Sequence, residues 1–249
     1  MSGVAEGSAY ALARLHARYA QLLPASGWRR LARIEHFSGF VQEALQTVLR
    51  PWVLQFDPQL GPHRIEATLR QAYLRRLREV AGWLPRPQRA AVVWIEPLVM
   101  LPIVRHRAAA GADYAWLPPP PARASLAADS DGATLLGRWL DHWQALWPDQ
   151  LAGAERRAML RLRNHGLAAL RELRDDSAAA DAEAGERLAL ELRRIFRRFR
   201  CALIAACAYL GLLWLQTARL RGALLRRRIF APPGWSSRHE SAHASSALV

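Results

Sequence analysis

At 249 residues, 51% of them hydrophobic, the chain is long enough to bury a sizeable core and too apolar to be a disordered polyelectrolyte. Ala, Leu and Arg dominate, and alternating runs of Val, Ile and Thr are nearly absent, which excludes a β-rich fold and predicts an all-α protein. The net charge of +14 rests on 35 basic residues that are all arginine, a bias that reflects codon usage more than guanidinium chemistry. Twelve arginines face three acids in 186–249 and nine face three in 61–107, whereas 108–185 holds eight against eleven.

In chain order, residues 8–23 predict a helix with Leu12, Leu15, Tyr19 and Leu22-Leu23 at helical spacing and Ser8 as its N-cap. Pro24-Ala-Ser-Gly27 interrupts it. A second helix is expected from Trp28 to Val48, with Leu31, Ile34, Phe37, Phe40, Val41, Leu45 and Val48 along one side. The three prolines of 50–63 read as a connector. A third helix over 63–83 places Ile65, Leu69, Tyr73, Leu77 and Val80 inward and an Arg-rich face outward. After a turn at 83–87, 88–109 is helical but kinked at Pro97 and Pro102. The four-proline run within 112–132 marks a stiff linker. Further helices are expected over 133–147, 150–175 and 183–228, with a break in the last, and the tail 231–249 reads as disordered. The domains so defined are a helical unit at 1–111, the linker, and a second helical unit at 133–230.

The strongest contrast lies between Arg200 and Arg219, where eighteen residues carry no charge and five arginines stand on either side. Eighteen residues reach the lower end of the length that spans a bilayer, about 17–25. Equal arginine at both ends gives no orientation by charge. Cys201 and Cys207 within the run point to different faces of a helix and read as unpaired, buried small hydrophobes of a reducing compartment. The N-terminus shows no basic segment followed by an apolar one, so a cytoplasmic location is expected.

No catalytic constellation emerges, and the protein is not expected to be an enzyme or to need a cofactor. His239-Glu240-Ser241-Ala242-His243 spells H-E-x-x-H, but zincin chemistry needs a rigid buried helix and a third ligand, and this stretch lies in the tail. Asp129-Ser130-Asp131-Gly132 begins like a calcium loop, lacks its later ligands, and reads instead as a helix N-cap. Trp139, Trp143 and Trp147 recur every four residues, as a core stripe does. The basic charge is not interleaved with exposed aromatics or set in a recognisable motif, so nucleic acid is not the expected partner. An acidic protein surface or anionic lipid headgroups fit it better.

Residues 98–111 (LVMLPIVRHRAAAG) align without gaps to 212–225 (LLWLQTARLRGALL), matching Leu98 to Leu212, Leu101 to Leu215, Arg105 to Arg219 and Arg107 to Arg221. Upstream, LRRLREV (74–80) echoes LRRIFRR (192–198). Each unit then consists of an Arg-rich amphipathic helix, an apolar segment and an R-x-R ending. The first copy carries Glu96 and two prolines, which suit a soluble bundle, and by analogy 201–218 becomes a buried core helix.

The opening of the chain, with Tyr10, Arg14, Arg18, Leu22-Leu23, Leu31 and Leu45-Gln46-Thr47, resembles that of the C (d) family of V-type and A-type rotary ATPase subunits. The segments from Leu101 to Arg107 and from Leu215 to Arg221 are similar to the family's repeated apolar-helix-to-Arg ending. Trp94-Ile95-Glu96-Pro97-Leu98 and Trp214-Leu215-Gln216 stand where that family often has Asp-x-x-Asn. The resemblance implies a non-catalytic helical socket on the cytoplasmic face of a proton-transporting membrane complex, coupling the rotor ring to the central shaft. It implies no bound nucleotide or metal, and its partners are other proteins of that complex. The arginines expected to meet them are Arg105, Arg107, Arg219, Arg221, Arg226 and Arg227. The alternative is a single-pass anchor spanning 201–218.

Overall fold

The computed structural model describes residues 2–57, 60–97, 99, 132–172 and 178–230. Among these every regular element is helical and none is a strand, so the all-α class is observed. The helices are α1 (Ser2–Tyr19), α2 (Ala25–Ala32), α3 (Phe37–Leu45), α4 (Arg50–Val53), α5 (Pro62–Trp83), α6 (Arg86–Val93), α7 (Gly132–Ala145), α8 (Gly153–Glu172), α9 (Ala178–Arg198) and α10 (Ala202–Ile229). The linker, apart from Gly132, and the H-E-x-x-H tail lie outside the described residues, as does the first copy of the 98–111 pattern except for Val99.

Periodicity located α5 closely: all five of Ile65, Leu69, Tyr73, Leu77 and Val80 are buried. Other boundaries moved for local reasons. Ser8 is not a cap, because α1 begins six residues earlier and carries Ser8 in its interior. The expected helix 28–48 is two helices separated at 33–36. The connector 50–63 holds the short α4, with Pro51 in its first turn, where a missing N–H costs nothing. Helix α6 stops at Val93 and helical backbone resumes at 95–97 after a turn at Trp94; Pro97 has no N–H for the Val93 carbonyl four residues back, and its ring conflicts with that carbonyl. The break expected in 183–228 falls at 199–201.

Two compact units are defined by internal packing, one made of Met1–Ala20 with Tyr73–Leu215, the other of Gln21–Ala72 with Gln216–Val249. In the first, the apolar part of α10 is enclosed almost completely: Ala202 to Leu210 are each 7% exposed or less. Tyr73 of α5 donates its hydroxyl to the Leu210 carbonyl at 3.1 Å and meets the Trp214 ring edge-on. Gly211 allows α9 to come close, since a Cβ built there would stand 2.9 Å from Leu192 Cδ1. Tyr19 stacks on Phe196, their centroids 4.4 Å apart. The tryptophan stripe, Trp139 and Trp143 on α7 and Trp147 just past its end, is buried as its spacing predicts. Trp143 Nε1 donates to the Ala91 carbonyl at 2.7 Å, and Trp94 Nε1 donates to that of Trp139 at 3.1 Å. Glu79 accepts from both Arg18 and Arg76 beside Tyr209.

In the second unit α2, α3, α4 and the start of α5 pack with the second half of α10. Leu31, Phe40, Ala44, Leu49, Val53, Ile65, Leu220 and Leu224 are fully buried there.

Candidate functional site

The second half of α10 changes from apolar to amphipathic at Gln216. That side chain is buried, and its Oε1 accepts the Leu23 backbone N–H at 2.8 Å, tying α10 to the stretch just before α2. One turn on, the Arg219 guanidinium lies over the Trp28 ring of α2, 4.8 Å from its centroid, within cation–π range. Two turns further, Arg227 closes the other end of α2. Its Nε donates to the Ile34 carbonyl at 2.7 Å, and its Nη2 to that of Leu31 at 3.3 Å. Its Nη1 donates back to Ala223 at 2.8 Å. The same guanidinium covers the Phe40 ring at 4.3 Å.

Arg227 is therefore a helix cap supplied from a distant part of the chain. The last carbonyls of a helix lack intrahelical partners and carry partial negative charge, which a cation satisfies on both counts. Only 6% of the residue is exposed, and burial, with Arg226 alongside, lowers its pKa. A guanidinium remains charged under such a shift, and an ammonium would not hold this fork of donors. Sequence grouping placed Arg227 with surface arginines; its guanidinium is turned inward.

Around it the other named arginines divide. Arg219 and Arg226 join Arg227 along a cleft of about 280 Å³ floored by Trp28, Leu31 and Phe40. On α10 the cleft residues Arg219, Gly222, Ala223, Arg226 and Arg227 follow i, i+3, i+4, i+7, i+8 spacing, one face of a helix. No acidic residue lines it. Arg221 projects elsewhere, 3.6 Å from Glu66 of α5, and Arg228 passes over Phe37. Arg105 and Arg107 lie outside the described residues. A second hollow, of about 520 Å³, is lined by Leu23, Pro24, Gly27, Arg30 and Thr47, with Arg30 paired to Glu43 at 2.7 Å.

The sequence reading did not assign Gln216, Trp28, Phe40 or Gly222 to a site, although it set Phe40 on the apolar side of its helix. Gln216 left one signal: it is the polar residue where the eighteen-residue run turns amphipathic. The aromatic floor left none, because two aromatics among many become a site only when α10 folds over them.

Burial raises the Tyr73 hydroxyl and the Cys207 thiol far above their ordinary values, and it also raises Cys201 and Tyr209. Both cysteines are free. Among the described residues no group of His, Cys, Asp and Glu is placed to hold a metal ion. One described helix, Ala202–Ile229, is long and apolar enough to cross a membrane; its most apolar window has mean hydropathy 1.4 and is 72% buried within the protein.

Fold and site together define an all-α protein whose charged feature is an arginine-lined, aromatic-floored cleft. Compared with models of known protein families, with curated proteins and with solved structures, the chain matches none.

Proposed function

We propose that the protein is a non-catalytic helical adaptor that docks through the basic face of α10 onto an acidic protein surface. The observation that carries this reading is the fixing of that face. Gln216 and Arg227 clamp α10 to both ends of α2, so Arg219 and Arg226 are held on a rigid frame. Preorganised charge loses less side-chain entropy on binding than charge on a mobile segment, and it steers association with an oppositely charged partner. The specific form of the reading is a stalk-type component like the C (d) subunits of V-type and A-type rotary ATPases, held peripherally on the cytoplasmic face of a membrane complex. The sequence patterns from Tyr10 to Thr47 and from Leu215 to Arg221 support that form.

A single-pass anchor is the second reading, favoured by the length and hydropathy of Ala202–Ile229 and opposed by its burial against the protein's own side chains. Fractionation of cells making the full chain separates the two. Release by alkaline carbonate together with a stably co-purifying protein partner is the expected result. Release by detergent alone would replace the adaptor with the anchor.

A further inference from the structure

The tip of α10 carries two large apolar side chains that the cleft does not use: Ile229 is 58% exposed and Phe230 77%. Leu220, Leu224 and Arg227 mark the face of the helix turned into the second unit, each 6% exposed or less. Arg226, Ile229 and Phe230 follow i, i+3, i+4 spacing on the outward face, and all three are exposed. The Phe230 N–H donates to the Arg226 carbonyl at 3.0 Å, so helical geometry carries through to this residue. The turn is also fixed, because Arg227 between them is bonded to the Leu31 and Ile34 carbonyls. Arg226 and Arg228 therefore flank an exposed apolar pair on a rigid support. The neighbouring stretch 33–36 adds exposed Arg33 and one acid, Glu35, so the surroundings remain basic.

We infer that this tip is a membrane-surface contact, with Ile229 and Phe230 set into the headgroup boundary of an anionic bilayer and Arg226 and Arg228 at the lipid phosphates. Charge complementarity selects an anionic surface, and the apolar pair requires one that also offers a hydrophobic layer. Ile229 and Phe230 line neither of the two hollows, so no concave shape selects a protein side chain. Two side chains also fall well short of the roughly 800 Å² that each partner buries in a stable protein interface. A lipid surface needs no matching shape, and arginine stems lie along its apolar boundary while their heads stay in water. Neither signal holds a protein on a membrane by itself; the two together do. The inference goes beyond the adaptor reading and does not depend on it.

The test is flotation of the purified full chain with vesicles of mixed phosphatidylcholine and phosphatidylserine, against vesicles of phosphatidylcholine alone. Binding is expected to the mixed vesicles only, and to weaken as salt is raised. Replacing the apolar pair together, Ile229→Ser with Phe230→Ser, should weaken it by at least about tenfold, and Arg226→Glu by a similar factor. Phe230→Leu, which keeps an apolar side chain, should stay close to the parent. Leu190→Ser on α9 removes another half-exposed apolar residue and should change nothing. Circular dichroism melts matching the parent's show that the variants fold. Absence of binding to the mixed vesicles, or equal binding to both kinds, would overturn the proposal. So would binding that survives the double serine variant, as insertion of 201–218 would give, or a loss in Leu190→Ser as large as at the tip. Vesicle binding seen only when a co-purifying protein is present would assign the tip to a protein partner and overturn it as well.

Discussion

The two halves of α10 belong to one uninterrupted helix and live under different physics. From Ala202 to Leu210 the helix is buried all round, held by shape: Gly211 under Leu192, and Tyr73 bonded to the Leu210 carbonyl. From Gln216 onward one face is core and the other is basic. That half is held by a few directed polar contacts, from Gln216 to Leu23 and from Arg227 to the end of α2. A helix apolar on every side must be enclosed by protein or lipid, whereas an amphipathic one needs only a partner along its stripe. The apolar run anchors, and the basic run presents.

The largest test of that division is Leu203→Ala. Leu203 is fully enclosed, so truncation should leave a cavity and cost about 2–5 kcal/mol by urea unfolding. Leu225, half-buried in the second half, should cost under about 1 kcal/mol when truncated, because surface-facing substitutions rarely exceed that. Equal costs would dissolve the contrast.

In the basic half the sensitive residue is Arg227. Arg227→Ala leaves the Leu31 and Ile34 carbonyls without their charged donor and should cost about 2–3 kcal/mol. Arg227→Lys should recover little of it, since an ammonium lacks the planar fork and meets Phe40 less well. Full rescue by lysine would show that charge alone holds the end of α2.

Alkaline pH probes the enclosed half. Tyr73 and Cys207 have folded-state pKa values raised by burial above their ordinary 10.0 and 9.0. Above pH 9 and then 10 the unfolded chain loses these protons while the folded chain keeps them. The unfolded state then binds fewer protons, so stability falls as pH rises, by up to about 1.4 kcal/mol per pH unit for each group. Thermal melts from pH 8 to 11 should show this decline, and Tyr73→Phe should make it shallower above pH 10. An identical slope in that variant would mean that Tyr73 is not sealed from water.

The smallest effect is a matched pair of glycine substitutions. Gly222→Ala enters open space in a helix and should stabilise by about 0.5–1 kcal/mol through propensity. Gly211→Ala meets Leu192 Cδ1 at 2.9 Å and should show no gain, or a loss. A gain at both positions would show that Leu192 moves freely and that the first half is less tightly packed than its burial suggests.

What could be read from the sequence follows from the range of the interactions. Helix content and the buried stripes of α5 and α7 came from periodicities set by neighbours three and four residues away. Leu69, Tyr73 and Leu77, or Trp139, Trp143 and Trp147, declare their face without reference to the rest of the chain. The break between α2 and α3 did not declare itself, because no proline stands at 33–36. The carbonyls exposed there are satisfied by Arg227, 193 residues beyond Ile34. For the same reason the six named arginines could not be sorted in advance. Charge and spacing are properties of the chain, but Arg221 meets Glu66, Arg219 covers Trp28, and Arg227 caps α2 only after tertiary packing.

The sequence alone determined that the protein is helical, that its charge is gathered in its basic segments, and that one stretch of α10 must escape water. Tertiary structure decided what encloses that stretch and which arginines remain at the surface. Burial and hydrogen-bond satisfaction depend on groups brought from far along the chain, and local pattern carries no record of them.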